Sequence, residues 1–166
     1  MRRVLRERHM KDARIRPGQP DDLEAMLAIL PRLAEFELPA RRRAEHLWES
    51  DAQTLRAWAE AGHEALIVLV ADHDDHGVVG LALVRLQPEF MSKAPGAHLE
   101  AIGVAPVADG HGVGKRLLAE AERAALEAGA RSMTLHVFAN NERARSVYER
   151  TGYEGELLRY VKHLVD

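Results

Sequence analysis

Residues 98–129 read HLEAIGVAPVADGHGVGKRLLAEAERAALEAG and decide the fold. The first part, 98–104, is rich in aliphatic residues and predicts a strand. A glycine-rich turn follows, after which apolar residues at helical spacing predict a long helix over 113–128 that ends at Gly129. A further strand is predicted over 133–139. A strand, a helix and a strand in this order predict two adjacent parallel strands joined by a right-handed crossover.

The rest of the chain completes an α/β pattern on a mixed sheet. No internal repeat or linker divides it, so we expect one domain over 14–166. The arginine-rich residues 1–13 are expected to be a disordered basic tail, or an extension ahead of a start at Met10. The remaining predicted strands are 14–16, 65–71, 78–86 and 157–164, and the remaining predicted helices are 21–30, 47–61 and 141–151.

Composition excludes several classes of protein. The 166 residues suit one domain, and 23 Lys and Arg against 26 Asp and Glu give a net charge of −3, which disfavours nucleic-acid binding. The absence of cysteine excludes disulfides, thiolate metal sites and a cysteine nucleophile, and makes a cytoplasmic location the expectation. The longest apolar run, Ala65–Ala71, is far shorter than the roughly 20 residues of a membrane-spanning helix.

The turn at Gly110–Lys115, GHGVGK, predicts an anion site. Its glycines allow backbone N–H groups to point inward, and the dipole of the following helix favours negative charge. Two standard phosphate motifs do not fit, because the Walker A pattern fails at Asp109 and Arg116 and the dinucleotide pattern fails at Lys115. A glycine-rich helix entry without a ligand is the alternative.

The strand before this turn carries an irregular pattern. Leu99 and Ala101 keep a period of two, but the apolar residues then shift to Ile102 and Val104, with Gly103 between them. Such a slip predicts a β-bulge, which leaves backbone groups unpaired and available to a ligand.

Two polar side chains in this frame need an explanation. Glu100 places a carboxylate in an otherwise apolar strand, where it is either functional or an outward-facing edge residue. Tyr148 shares a helix face with Ala144, Val147 and Thr151, so its hydroxyl points inward and needs a partner. Taken alone, it is also compatible with a core tyrosine.

Together these features resemble the GCN5-related N-acetyltransferase superfamily, which transfers an acetyl group from acetyl-CoA to an amine. The similarity of element order covers 14–165. It implies a mixed, mostly antiparallel sheet of six to seven strands with a central splayed parallel pair, flanked by about four helices. The family's phosphate signature [RQ]-x-x-G-x-[GA] falls on 109–114, its preceding strand on 99–104, and its N-x-x-A-x-x-x-Y helix on Asn141, Ala144 and Tyr148, followed by Gly152-Tyr153.

The resemblance also implies a mechanism. Glu100 is the expected general base, acting through water, and Tyr148 is the expected proton donor to the CoA thiolate. Without cysteine or a G-x-S-x-G elbow, direct transfer in a ternary complex is expected. The residues implied to bind acetyl-CoA are Ile102, Gly103, Val104, Asp109, Gly110, His111, Gly112, Val113, Gly114, Lys115, Asn141 and Tyr148.

One position departs from the family pattern. Asp109 stands where the signature has Arg or Gln, which puts a negative charge near the expected pyrophosphate. Weaker CoA binding is therefore expected.

The acceptor is less well defined. The resemblance implies that residues 35–58 and 87–98 grip it, and a small-molecule primary amine is expected, with Trp48 and Trp58 as either walls of that site or core anchors. A non-catalytic CoA-binding regulatory module and an enzyme acting on protein N-termini or lysine side chains are the alternatives, and a homodimer stays open. No metal is expected, because a solvated hairpin turn explains the His and Asp residues at 72–76.

Overall fold

The computed structural model describes residues 10–165. The chain forms two compact units, of which the first ends at His136 and the second begins at Val137. The first unit contains β1 (Arg14–Pro17), α1 (Leu23–Ile29), α2 (Glu49–Ala61), β2 (Leu66–His73), β3 (Gly77–Pro88), β4 (Pro95–Val104), α3 (Val113–Glu127) and β5 (Met133–Leu135), and the second contains α4 (Glu142–Arg150). Short 3₁₀ helices cover Pro20–Asp22, Leu30–Ala34, Ala44–Leu47 and Pro106–Ala108.

The strands form one mixed sheet in the order β1-β2-β3-β4-β5. All neighbouring strands are antiparallel except β4 and β5, which are parallel and are connected through α3. The predicted α/β class is confirmed. So is the prediction that the strands before and after the long helix in sequence form a parallel pair. The described residues form five strands, fewer than the six to seven expected.

The parallel pair is splayed. β5 pairs with β4 only from Ala97 to Leu99, whereas β4 continues to Val104. The strand predicted over 133–139 therefore ends at Leu135, because a strand needs a neighbour to bond its backbone groups. Past Leu99, β4 keeps a strand partner on its β3 side alone within the described chain.

Helices cover both faces of the sheet. On one face, α1 and α2 pack on Leu81, Leu83 and Ala101. On the other, α3 lies so close that a Cβ built on Gly80 would be 2.8 Å from Leu117 Cδ1. The buried side of α3 follows the helical period, with Val113, Leu117, Leu118, Ala121 and Ala125. No helix in the described range is long and apolar enough to cross a membrane.

The second unit corrects one expectation. The strand predicted over 157–164 is wrong, because the chain from 154 to 163 has no regular secondary structure. Its apolar side chains are open to solvent, with Leu157 69% and Tyr160 87% exposed. Aliphatic and aromatic residues suit a strand, but only a bonded neighbour makes one, and this segment has none in the described structure.

The N-terminal tail predicted over 1–13 lies outside the described residues up to position 9. The part that is described packs on the first unit, since Met10 and Ala13 are buried. From α3, the Arg116 guanidinium donates hydrogen bonds to the carbonyls of Lys11 and Ala13, at 3.0 and 2.5 Å.

Candidate active site

The loop between β4 and α3 has the conformation that its glycines predict. Gly110 and Gly112 have φ of 74° and 79°, in the left-handed region where side chains are strained. A Cβ at either position would meet no atom within 4 Å, so backbone conformation requires glycine here and the loop faces open space. Gly112 is the N-cap of α3, which starts at Val113.

This loop, residues 110–114, carries unused donors. The amides of Gly110, Gly112, Val113, Gly114 and Lys115 donate to no acceptor among residues 10–165. They lie at or just before the N-terminus of a 15-residue helix, where the helix dipole adds positive partial charge. Free amides at a helix start form an anion-binding concavity. This arrangement favours a ligand over the alternative of an empty helix entry.

The negative charge of Asp109 has a partner that the sequence did not reveal. Arg32, in the 3₁₀ helix after α1, places Nη2 3.2 Å from Asp109 Oδ2. Its Nε donates to the carbonyl of Val104 at 3.1 Å, and it also pairs with Glu35. Arg32 thus joins the end of β4 to the loop and offsets the charge that Asp109 brings to the anion site.

The predicted β-bulge is present, slightly earlier in β4 than the pattern indicated. Leu83 pairs with Ala101 while Val84 pairs with Leu99, so Glu100 is the inserted residue. Ala101, the residue after the insertion, packs in the core cluster with α1 and α2. The Glu100 side chain is largely buried and is bonded to Arg85, so the alternative of an outward-facing edge residue is wrong.

Glu100 is held by its neighbour on β3. Arg85 Nε lies 2.5 Å from Oε1, and Nη2 lies 3.3 Å from Oε2. The Glu100 side chain is only 18% exposed, so this two-pronged ion pair fixes its orientation in a partly desolvated setting.

Asp51 on α2 is a second carboxylate in the same region, and sequence reasoning missed it. The residue is 9% exposed and accepts no hydrogen bond from any residue in 10–165. Burial, together with the negative charge of Glu100, raises its pKa to about 7, and Arg85 only partly opposes this. The available signal was its place in the helical stripe Trp48, Asp51, Leu55 and Trp58, where a carboxylate interrupts an apolar face.

The two segments expected to grip the acceptor differ in burial, because the tryptophans of 35–58 pack on the core and part of 87–98 is exposed. Trp48 and Trp58 pack against the core around α1 and α2, which agrees with core anchoring. The indole N–H of Trp48 is nevertheless buried without an acceptor in the described structure. Between β3 and β4, Phe90 and Met91 are exposed at the tip of the connecting loop.

The second unit contains the other two candidate residues. Asn141 caps α4, since its Oδ1 accepts from the amide of Ala144 at 3.3 Å. Tyr148 is half-buried and packs edge-on against Tyr153, at 5.7 Å between ring centroids. Its hydroxyl has no hydrogen-bond partner among the described residues, and burial raises its pKa, which keeps it protonated.

The β2–β3 turn is a solvated hairpin. Asp72 pairs with Arg16 at 2.9 Å and Asp74 with Arg14 at 2.7 Å, so arginines neutralise these carboxylates. Over residues 10–165, no group of three or more His, Cys, Asp or Glu is arranged to hold a metal ion.

Comparison with known proteins adds independent findings. The model of the acetyltransferase (GNAT) family matches residues 30–153. The uncharacterized N-acetyltransferase YhfO of Bacillus subtilis (strain 168) is 30% identical over 145 residues, which cover 84% of this chain and 89% of YhfO. YycN, an uncharacterized N-acetyltransferase of the same organism, is 34% identical over 95 residues, 57% of this chain and 58% of YycN. The match therefore spans less than two thirds of YycN.

A solved structure shares the fold. The protein AAC(6')-Iy, in complex with the bisubstrate analogue CoA-S-monomethyl-acetylneamine, superposes with a TM-score of 0.65 at 22% identity. The superposition covers 90% of this chain and 97% of that one.

Proposed function

The chain belongs to the acetyltransferase (GNAT) family, and on that premise we propose that it transfers an acetyl group from acetyl-CoA to a primary amine by direct attack in a ternary complex. Membership makes it an acetyltransferase of GNAT type, as the sequence resemblance predicted. The observation that supports acetyl-CoA as donor is the set of unbonded amides in loop 110–114 beside a splayed strand pair.

The residues present fit coenzyme A. A pyrophosphate needs several converging donors, which the free amides of loop 110–114 and the start of α3 supply. The open edge of β4 at 102–104 offers backbone groups to an extended amide-containing arm such as pantetheine. When bound, acetyl-CoA supplies an activated acetyl thioester. His111 is a further proposed cofactor-binding residue of the first unit. For Asn141 and Tyr148, in the second unit, cofactor binding is proposed from the sequence resemblance.

The chain's own groups supply the acid–base chemistry. An alkyl ammonium has a pKa of about 10.4, so a nucleophilic amine requires removal of a proton near neutral pH. Glu100, oriented by Arg85, is the proposed base. Backbone amides at 102–104 are the proposed donors that stabilise negative charge on the carbonyl oxygen. Tyr148, protonated and unpartnered, is the proposed proton donor to the leaving sulfur.

A thiol-release assay tests the proposal. The chain has no cysteine, so a thiol reagent reports only the free CoA produced from acetyl-CoA. The expected result is release that depends on both enzyme and a primary amine, with no release for the matching alcohol. A panel of small amines and of peptides with free N-termini or lysines assigns the acceptor class. Binding of acetyl-CoA with no turnover across the panel would indicate a regulatory module instead.

A further inference from the structure

Within residues 10–165, the region around Glu100 holds more negative charge than the neighbouring basic side chains neutralise. Asp51 and Glu100, referred to below as the carboxylate pair, approach from α2 and β4, and they interact electrostatically with each other and with Arg85. The Nε and Nη2 groups of Arg85 both donate hydrogen bonds to Glu100. These three residues account for the charged groups that act on Asp51. His98 on β4 also interacts with Glu100, but burial and then His136 lower the pKa of its imidazole, so it adds no positive charge near pH 7.

Charge counting identifies what is missing. Two carboxylates and one guanidinium leave one negative charge in excess when both acids are ionised. A carboxylate as buried as Asp51 is costly without a counter-charge or a hydrogen bond, and the described structure provides neither for it alone. One turn earlier on the same helical stripe, the Trp48 N–H is also buried and unsatisfied. The Trp48 N–H is a donor and calls for an acceptor, whereas the uncompensated carboxylate of Asp51 is the group that points to a cationic ligand.

We propose that Asp51 and Glu100 form a two-carboxylate site that binds the ammonium group of the acceptor and takes up the proton it loses. This inference rests on the proposed function and names its acceptor-side residue. One ammonium carries the single positive charge that the carboxylate pair lacks, and its three N–H groups suit two carboxylates at once. A neutral or anionic acceptor would leave the pair uncompensated.

The proton transfer is balanced within this site. An N–H bond of the ammonium breaks, an O–H bond forms on the carboxylate pair, and the amine keeps the lone pair that it needs as a nucleophile. A base works best when its pKa lies near the operating pH. The raised pKa of Asp51, about 7, meets that condition and supports Asp51 as an acceptor of the ammonium proton together with Glu100.

Kinetics with paired variants test the proposal once the thiol-release assay has identified an amine. Asp51→Asn and Glu100→Gln are each expected to raise the KM for the amine about tenfold or more, as loss of a charge-assisted contact does. Affinity for CoA should change less than about twofold, since neither residue belongs to the anion site. Asp51→Asn should also abolish the acidic limb of the pH profile near 7. Glu60→Gln, at an exposed position of the same helix and outside the segment expected to grip the acceptor, is the matched control and should behave as wild type.

A titration that needs no catalytic turnover tests the two-carboxylate site separately from the proposed acetyltransferase function. In protein labelled with ¹³C at the Asp and Glu carboxyls, the Asp51 midpoint near 7 should fall in Glu100→Gln, and should fall in wild type when millimolar 1,4-diaminobutane is added. If the titration midpoint of Asp51 shifts neither in Glu100→Gln nor on addition of 1,4-diaminobutane, the two-carboxylate site is overturned, whatever the thiol-release assay shows. An Asp51→Asn variant with wild-type amine KM and pH profile would also overturn it. Absence of CoA binding, by contrast, would count against the proposed function alone.

Discussion

The buried carboxyl of Asp51 predicts a measurable dependence of stability on pH. Its pKa is raised from 3.8 to about 7 in the folded protein, mainly by burial and then by Glu100. Between these two values the folded state binds more protons at this site than the unfolded state does. The free energy of unfolding therefore loses a contribution as the pH rises through this window. Asp51→Asn removes the titrating group and should remove that loss.

The size of the effect follows from the two pKa values. A difference of about 3 pH units corresponds to about 4 kcal/mol, so the stability of Asp51→Asn relative to wild type should rise by up to that amount between pH 4 and pH 8. Urea unfolding followed by the fluorescence of Trp48 and Trp58 measures both proteins at each pH. Carboxyls that do not interact with Asp51, such as Asp22 with its lowered pKa, titrate equally in both proteins and cancel in the difference.

Two results would refute this reasoning. A relative stability that stays flat from pH 4 to pH 8 would mean that Asp51 titrates as an ordinary exposed acid. A relative stability that falls as the pH rises would mean that the folded protein stabilises the ionised form of Asp51. The attraction between Arg85 and the Asp51 carboxylate would then outweigh the cost of burying that carboxylate.

Three further substitutions probe the donor side of the site. Arg32→Ala should weaken CoA binding about tenfold in calorimetry, because it removes the positive charge that offsets Asp109 beside the anion site. Adding Asp109→Gln should restore binding, and equal loss in both variants would contradict the charge argument. Gly112→Val should abolish CoA binding, whereas Gly77→Val, with a similar positive φ in the hairpin turn, should only lower stability. Tyr148→Phe should lower kcat by a factor of about 10² or more with unchanged acetyl-CoA affinity, and wild-type kcat would exclude it as the acid.

The parts of the fold that depend on local pattern were predictable. Residues 98–129 encode a strand, a turn with two left-handed glycines and an amphipathic helix, and all three form as expected. Glu100 could be singled out because a carboxylate in an apolar strand stands out within a few residues. The strand over 157–164 failed for the opposite reason, since its residues suit a strand but its partner is not encoded nearby.

The residues that tune the site were not predictable because their partners are distant along the chain. Arg32 meets Asp109 across 77 positions, and no local pattern marks either as half of a pair. Asp51 acquires its significance only when α2 packs beside the bulge of β4. In both cases the sequence shows only a charged residue that its neighbours along the chain do not account for. The residues that interact with it come into contact only when the chain packs.

Titration of the protein with CoA in a calorimeter tests the central claim most directly. The account predicts a saturable heat with one CoA bound per chain and a Kd below about 1 mM, and no saturable heat for Gly112→Val. A folded wild-type protein that shows no saturable heat with CoA or acetyl-CoA at millimolar concentration would contradict it.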